Sequence, residues 1–165
     1  MISKSQIIEL RDSWQTPEPN VAREFVQHVL LSALFQIKGA DSNLAFKGGT
    51  ALRLLRRSPR FSEDLDFTGC GKPFHIGEWI TQAAREAGRA GLELKMSESN
   101  PTSGGWFARM ETQVHDWPVH VEWNVSLRTG SGAAPHETAL VTTPLWTPYS
   151  VTALATDQMV HEKVE

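Results

Sequence analysis

FKGGTALRLLRRSPRFSEDLDF, residues 46–67, holds the two patterns that decide the fold. An apolar run at residues 44–46 predicts a short strand that ends just before Gly48-Gly49-Thr50. The apolar spacing of residues 51–57 then predicts a helix of about two turns. A helix that opens after two glycines presents free backbone N–H groups and the positive end of its dipole to a phosphate, and glycine lets the backbone come close.

The second half of the stretch carries two acidic residues in a strand pattern. Asp64 and Asp66 alternate with Leu65 and Phe67, which places both carboxylates on one face of the strand. Residues two apart on a strand have Cα atoms roughly 6 to 7 Å apart, so their oxygens can converge on a divalent cation. Each motif alone is typical of an ordinary turn or of a solvated strand face. Their joint spacing predicts a site for a metal-bound nucleoside triphosphate, with Mg²⁺ or Mn²⁺ as the cation.

Apolar spacing predicts further helices and strands on both sides of this stretch. The predicted helices are residues 5–14, 21–37, 76–90 and 150–165. The predicted strands are residues 92–96, 106–112, 119–127 and 139–142, with a loop at 129–138. Asn20 is the predicted N-cap of the second helix. The order of these elements predicts an α+β fold, a mixed β-sheet flanked by helices.

Length and composition limit the classes of protein that the chain could belong to. With 165 residues it is predicted to form one domain, residues 1–165, in which residues 1–19 are an N-terminal helix and linker. Its one cysteine, Cys70, excludes an internal disulfide, and no apolar run reaches the roughly 18 to 20 residues of a membrane span. We therefore expect a cytoplasmic protein. The net charge of −3 disfavours nucleic-acid binding through overall charge, but it allows a local basic patch.

Other common motifs of nucleotide-binding proteins and hydrolases are absent from the sequence. Lys47 precedes the glycines, whereas the Walker pattern requires a lysine after them. The six histidines show no zinc-ligand spacing, and the sequence has no Gly-x-Ser-x-Gly nucleophile turn. These absences exclude the usual P-loop and argue against a zinc hydrolase or a serine hydrolase.

The two motifs of the opening stretch resemble those of a known family. Gly48-Gly49-Thr50, about a dozen residues and then Asp64-Leu65-Asp66 are similar to the signature of the DNA polymerase beta-like nucleotidyltransferase superfamily. More closely, FKGGTAL (46–52) and RFSEDLDF (60–67) resemble the leading motifs of the AbiEii/AbiGii toxin family, the MenT-like nucleotidyltransferase toxins of toxin–antitoxin systems. The resemblance implies a minimal nucleotidyltransferase fold and Mg²⁺-dependent transfer of a nucleotide from an NTP to an acceptor hydroxyl. It also implies the tRNA 3′ end as acceptor and an antitoxin as protein partner.

The resemblance further implies roles for individual residues. Asp64, Asp66 and a third carboxylate on a later strand would be catalytic and would bind the metal. Glu122, on the polar face of VHVEWNV (119–125), is our candidate for the third carboxylate, and Glu111 is the alternative. The predicted nucleotide-binding residues are Lys47, Gly48, Gly49, Thr50, Arg60, Ser62 and Lys163.

The resemblance also bears on the C-terminal part of the chain, and two other functions are compatible with the sequence. In members of the family the chain continues with further helices, so the resemblance implies that a C-terminal helical part is missing or truncated here. The chain could instead be a degenerate, non-catalytic member that binds only a nucleotide or a protein partner. It could also transfer nucleotides to a small molecule, as aminoglycoside nucleotidyltransferases do.

Overall fold

The computed structural model describes residues 1–70, 72–128 and 136–155, which form five helices and seven strands. The helices are α1 (Lys4–Trp14), α2 (Glu18–Leu34), α3 (Ala40–Asn43), α4 (Gly48–Arg56) and α5 (Pro73–Arg89). The strands are β1 (Leu44–Lys47), β2 (Asp64–Gly69), β3 (Lys95–Thr102), β4 (Gly105–Val114), β5 (Trp117–Leu127), β6 (His136–Val141) and β7 (Tyr149–Leu154). None of the described helices combines the length and the apolar character needed to cross a bilayer.

The seven described strands form one mixed sheet in the order β3-β4-β5-β2-β1-β7-β6. The pairs β2–β5 and β1–β7 are parallel, and the other neighbours are antiparallel. Helix α2 packs against β5 and against α5, and α5 also contacts β3 and β4. The predicted α+β architecture, a mixed sheet flanked by helices, is confirmed. Strand β2, which carries the two aspartates, lies at the centre of the sheet.

A group of aromatic rings forms the core beneath the central strands. The Phe67 ring lies 5.5 Å from that of Phe46 and 5.8 Å from that of Trp123, between ring centroids, and all three side chains are fully buried. Phe35, just after α2, contacts Phe67 at 6.2 Å, so this face of the sheet is the one that α2 covers. Side chains alternate along a strand, and the aspartates on either side of Leu65 therefore face away from the core.

The start of α2 differs from the predicted one. The helix begins at Glu18, with Pro17 as its N-cap and a second proline, Pro19, in its first turn. Proline suits this position because its φ is already helical and the N–H that it lacks would have no partner there. Asn20 is therefore inside the helix, and the prediction that it caps the helix is wrong. Its side chain instead donates a hydrogen bond of 2.8 Å to the Thr16 hydroxyl.

The predicted helix at residues 150–165 is wrong where the structure describes it. Residues 149–154 form β7, in which Tyr149, Val151 and Ala153 are buried and Ser150 is exposed. This alternation has a period of two, and β7 is held by pairing with β1 and β6. Residues 156–165, the remainder of that predicted helix, lie outside the described part of the chain.

The two edge strands begin at positions that differ from the predicted ones. Strand β6 starts at His136, so the predicted loop is wrong for residues 136–138, and β3 starts at Lys95 rather than at residue 92. Both strands are largely exposed, and β3 is mostly polar. An edge strand is held by main-chain hydrogen bonds on one side, so it shows little of the apolar alternation that sequence patterns detect.

We expect Phe67→Ala to lower the free energy of unfolding by about 3 to 5 kcal/mol, because it opens a cavity between three aromatic rings. Leu140→Ala is the control, since this leucine is 69% exposed and its truncation should change stability by less than about 0.5 kcal/mol. Denaturant unfolding followed by tryptophan fluorescence measures both. Equal effects of the two substitutions would contradict the assignment of Phe67 to the core.

Candidate active site

The acidic pair lies on the half-buried polar face of β2, between two neighbouring strands. Asp66 is in register with Lys47 of β1 on one side and with Asn124 of β5 on the other. The Asn124 Nδ2 donates a hydrogen bond of 3.2 Å to Asp66 Oδ1. A cationic and an amide side chain therefore flank this carboxylate, which fixes its orientation toward the open face of the sheet.

Asp64 occupies the next row, which also holds the predicted third carboxylate. Its register partner in the parallel strand β5 is Glu122, and the partner of Glu122 in β4 is Arg109. The Arg109 Nη1 lies 3.9 Å from Glu122 Oε1. Glu111, the alternative, is opposite His120, one row further from Asp64. The register thus brings Glu122 beside the acidic pair and leaves Glu111 farther away.

The glycine turn contacts the acidic pair directly. Gly48 has φ of +85°, a backbone conformation that L side chains rarely adopt, and a Cβ at this position would lie 2.5 Å from Asp66 Oδ2. A Cβ on Gly49 would lie 3.1 Å from Ser62 Oγ. Gly48 therefore allows the backbone to approach the second motif, and Gly49 packs tightly against Ser62. The start of α4 and the aspartates thus lie side by side.

Thr50 joins the two motifs through its side chain. Its buried hydroxyl donates a hydrogen bond of 2.5 Å to the main-chain oxygen of Asp64. Because the hydroxyl is already hydrogen-bonded, any contact of Thr50 with a nucleotide would be made by its backbone N–H. The first-turn amides of α4 have no intrahelical acceptors, so they and the helix dipole favour an anion at this end.

A cleft of about 410 Å³ opens beside the acidic pair. Ser62 and Asp64 line it, and Arg60 lies exposed at its rim. Gln27 of α2 donates a hydrogen bond of 2.9 Å to the main-chain oxygen of Ser62, which fixes this wall of the cleft. The structure thus brings together every predicted site residue except Lys163, which lies outside the described part of the chain.

The comparison with known proteins agrees with this geometry. Residues 29–165 match the family model of the nucleotidyl transferase AbiEii toxin, Type IV toxin–antitoxin system. The chain belongs to the AbiEii family. The predicted family is therefore confirmed. A search of curated proteins found no match.

Two solved structures have a similar fold over most of this chain. MenT4, a nucleotidyltransferase toxin from Mycobacterium tuberculosis, is 19% identical with a TM-score of 0.71, over 99% of this chain and 58% of MenT4. JHP933 from Helicobacter pylori is 17% identical with a TM-score of 0.56, over 88% of this chain and 56% of JHP933. The predicted minimal nucleotidyltransferase fold is confirmed. The chain spans less than two thirds of the length of either relative.

The electrostatics of this AbiEii site favour a bound cation. The pKa of Asp64 is raised by burial first and then by the negative charges of Asp66, Glu122 and Glu63. Burial also raises the pKa of Asp66, although Asn124 and Lys47 oppose the shift. A cation beside carboxylates whose ionisation is disfavoured by burial would stabilise their charged form.

The donor set fits a cation that shares its ligands with a substrate. Among the described residues, no group of three or more His, Cys, Asp or Glu side chains is arranged to hold a metal ion. Asp64 and Asp66 offer hard carboxylate oxygens on one strand face, and Mg²⁺ commonly takes one or two carboxylates together with water and phosphate oxygens. The residues present therefore suit a metal bound together with a triphosphate, rather than a metal cage made of protein alone.

Two residues that contact the site were missed at the level of the sequence. Asn124 follows Glu122 on the same strand face, so alternation places it correctly, but only the β2–β5 register shows that it reaches Asp66. Gln27 is a buried polar residue in the middle of the apolar helix α2. A buried glutamine requires a hydrogen-bonding partner, and this requirement is the one signal that could have identified it.

We expect Gly48→Ala to lower the free energy of unfolding by about 1 to 3 kcal/mol, because it combines a positive φ with a clash against Asp66. Gly88→Ala in α5 is the matched control, because no atom lies within 4 Å of its added Cβ. Alanine in a helix is more stable than glycine by about 0.5 to 1 kcal/mol, so the control should gain stability. If both variants gain stability in denaturant unfolding, the close approach of Gly48 to Asp66 is contradicted.

We expect Asp66→Asn to raise the melting temperature near neutral pH. The folded pKa of Asp66 lies above the unfolded value near 3.9, so its contribution to stability is complete below that value and is lost as pH rises through the folded pKa. The gain of Asp66→Asn should therefore disappear in acid. Asp12→Asn is the control with the opposite sign, since the hydrogen bond from Arg11 lowers the pKa of Asp12. A loss of stability in Asp66→Asn at neutral pH would contradict the prediction.

Proposed function

We propose that this chain is the catalytic core of a Mg²⁺- or Mn²⁺-dependent nucleotidyltransferase that transfers a nucleotide from an NTP to an acceptor hydroxyl. The observation that carries the proposal is the contact between the two motifs, in which Gly48 leaves room for Asp66 at the start of α4. That contact puts phosphate-binding amides beside carboxylates that suit a cation. Membership in the AbiEii family supports the same reaction.

The chain's own polar groups would hold the triphosphate at the start of α4. The backbone amides of residues 48–50 face the anion with the positive end of the helix dipole. Lys47 lies in register with Asp66 and Arg60 lies at the cleft rim, so each can neutralise phosphate charge, and the Ser62 hydroxyl can donate a hydrogen bond. By resemblance to the family, Lys163 would add a further cation.

The carboxylates would bind the metal and accept a proton. Asp64 and Asp66 would hold the divalent cation together with phosphate oxygens and water, and Glu122, in register with Asp64, would be the third carboxylate beside it. When bound, the cation would supply positive charge that offsets the charge of the phosphates. One of these carboxylates accepts the proton of the acceptor hydroxyl, whose oxygen then forms a bond to the α-phosphorus. The bond between the α-phosphorus and the α,β-bridging oxygen breaks, and pyrophosphate leaves. The rigid central strands keep the carboxylates in place during the transfer.

The acceptor and the biological role complete the proposal. We assign the tRNA 3′ end as the acceptor on the resemblance of the motifs to the MenT-like toxins. Arg60 at the rim of the cleft and Arg57, three residues before it, are exposed and add local positive charge, which suits an RNA backbone. The biological role would be that of the toxin in a type IV toxin–antitoxin system, which is how the family is described, with an antitoxin as its partner. We propose that the protein acts in the cytoplasm.

We expect the full-length protein to transfer label from a nucleoside triphosphate to total tRNA when Mg²⁺ is present, and chelation by EDTA to stop the transfer. Asp66→Ala should lower the rate by about 10³-fold or more, because metal charge stabilisation is worth several kcal/mol. Asp12→Ala, an exposed aspartate on α1, is the control and should retain wild-type activity. Equal activities of wild type and Asp66→Ala would overturn the catalytic assignment.

The same assay separates the remaining alternatives. Label in a small hydroxylated compound, with none in tRNA, would identify a small-molecule nucleotidyltransferase instead. Saturable binding of the triphosphate without transfer to any acceptor would identify a non-catalytic member. Sequencing of the labelled RNA then shows whether the nucleotide was added to the 3′ end.

A further inference from the structure

Arg53, in the last turn of α4, makes an unusual set of contacts. Its Nε lies 2.5 Å from Glu24 Oε1, and its Nη1 donates a hydrogen bond of 3.1 Å to the main-chain oxygen of Ser58. The guanidinium carbon lies 3.6 Å from the centre of the Phe61 ring and 5.3 Å from that of Trp14. One side chain thus connects α1, α2 and α4 to the segment that precedes β2.

The Arg53–Glu24 ion pair is nearly buried. The side chains are 15% and 6% exposed, and Arg53 and Glu24 form part of the floor of a cavity of about 520 Å³. Burial of two charges costs several kcal/mol per ion before their attraction is counted, so such a pair is a weak source of stability. A buried pair of this kind is therefore better explained by the geometry that it imposes on its neighbours.

Arg53 does not line the candidate nucleotide cleft, but it contacts two residues that do. Ser58 and Phe61, which it holds through a hydrogen bond and a stacking contact, both line the cleft of about 410 Å³ on the other side. Residues 58–63 have no helix or strand of their own to fix them. We call these residues the cleft segment.

Helix α2 holds the far end of the cleft segment. Gln27 donates to the main-chain oxygen of Ser62 at 2.9 Å, and Arg23 lies 3.8 Å from Glu63. The segment is thus fixed at both ends by side chains that do not face the cleft. Between these two attachments lies Arg60, whose guanidinium is exposed.

We propose that Arg53, held by Glu24, is a positioning residue that fixes the cleft segment and thereby places Arg60 and Ser62 against the phosphates of the bound nucleotide. The proposal rests on the proposed function. Arg53 itself does not contact substrate, because its guanidinium is already shared by a carboxylate, a carbonyl and an aromatic ring. Lysine could keep the charge, but it has neither the planar face nor the fork that these contacts use.

The first test measures how fast the backbone amides of the cleft segment exchange with solvent when no nucleotide is present. Hydrogen–deuterium exchange of full-length Arg53→Gln, Arg53→Lys and Glu24→Gln should be faster in residues 58–63 than in wild type, while peptides from β4 and β5 keep wild-type exchange. Arg89→Gln is the matched control, because Arg89 forms an exposed ion pair with Glu86 on α5. Unchanged exchange in the cleft segment of Arg53→Gln would overturn the proposal. If Arg53→Gln does not fold, Arg53→Lys decides by the same criterion.

The second test asks whether Arg53 acts through the cleft. Arg53→Gln should raise the KM for the triphosphate by about tenfold and change kcat by less than about threefold, since ground-state binding is lost. Arg53→Lys should restore only part of the affinity. A purely structural role would lower the melting temperature and leave the KM of the folded fraction unchanged, and that outcome would overturn the proposal.

A double-mutant cycle with Arg60 gives the sharpest result. If Arg53 acts by placing Arg60, then Arg53→Gln should add little to the KM in an Arg60→Gln background, so the two effects will be strongly non-additive. Fully additive effects would overturn the proposal. Hydrogen exchange needs no nucleotide, so it reports on the cleft segment even if the wild-type protein transfers none. The proposed function and the role of Arg53 can therefore fail separately.

Discussion

The absence of a side chain at Gly48 is the constraint on which the site depends. The space that a Cβ would occupy is taken by a carboxylate oxygen of Asp66, 2.5 Å away. Because the backbone can approach so closely, the end of β1, the start of α4 and the middle of β2 meet at one point. The Thr50 hydroxyl then bonds to the main chain of Asp64 and holds the two motifs together. The proposed binding of a phosphate and a cation requires this arrangement of amides beside carboxylates.

Side chains alternate along the central strand β2, so one face of the strand packs in the core and the other carries the candidate site. On one face, Phe67 packs among aromatic rings beneath α2. On the other face, two carboxylates are half-buried and carry raised pKa values. Their ionisation at neutral pH costs folding free energy, and a bound cation would offset this cost. A loss of folding free energy of this kind is common at functional sites, where charged groups are held in place for function at the expense of stability.

Local patterns in the sequence predicted the features that depend on neighbouring residues. The glycine turn and the aspartate alternation belong to this class, since each arises within a few residues. Strand β7 could not be read in this way, because pairing with β1 and β6 decides its conformation. The position of Glu122 beside Asp64, with Glu111 farther away, likewise depends on the parallel register of β2 with β5. Contacts across more than about 25 residues in sequence, such as that of Arg53 with Glu24, leave no short-range pattern.

In the proposed mechanism, the two motifs form one joint site for a metal and a triphosphate. A crystal structure of the full-length protein with Mn²⁺ and a non-hydrolysable triphosphate tests this most directly, because the anomalous signal of manganese locates the metal. We predict an anomalous peak within ligand distance of Asp64 and Asp66, with phosphate oxygens at the start of α4. A peak elsewhere, or a triphosphate bound away from α4 with no metal at the aspartates, would contradict it.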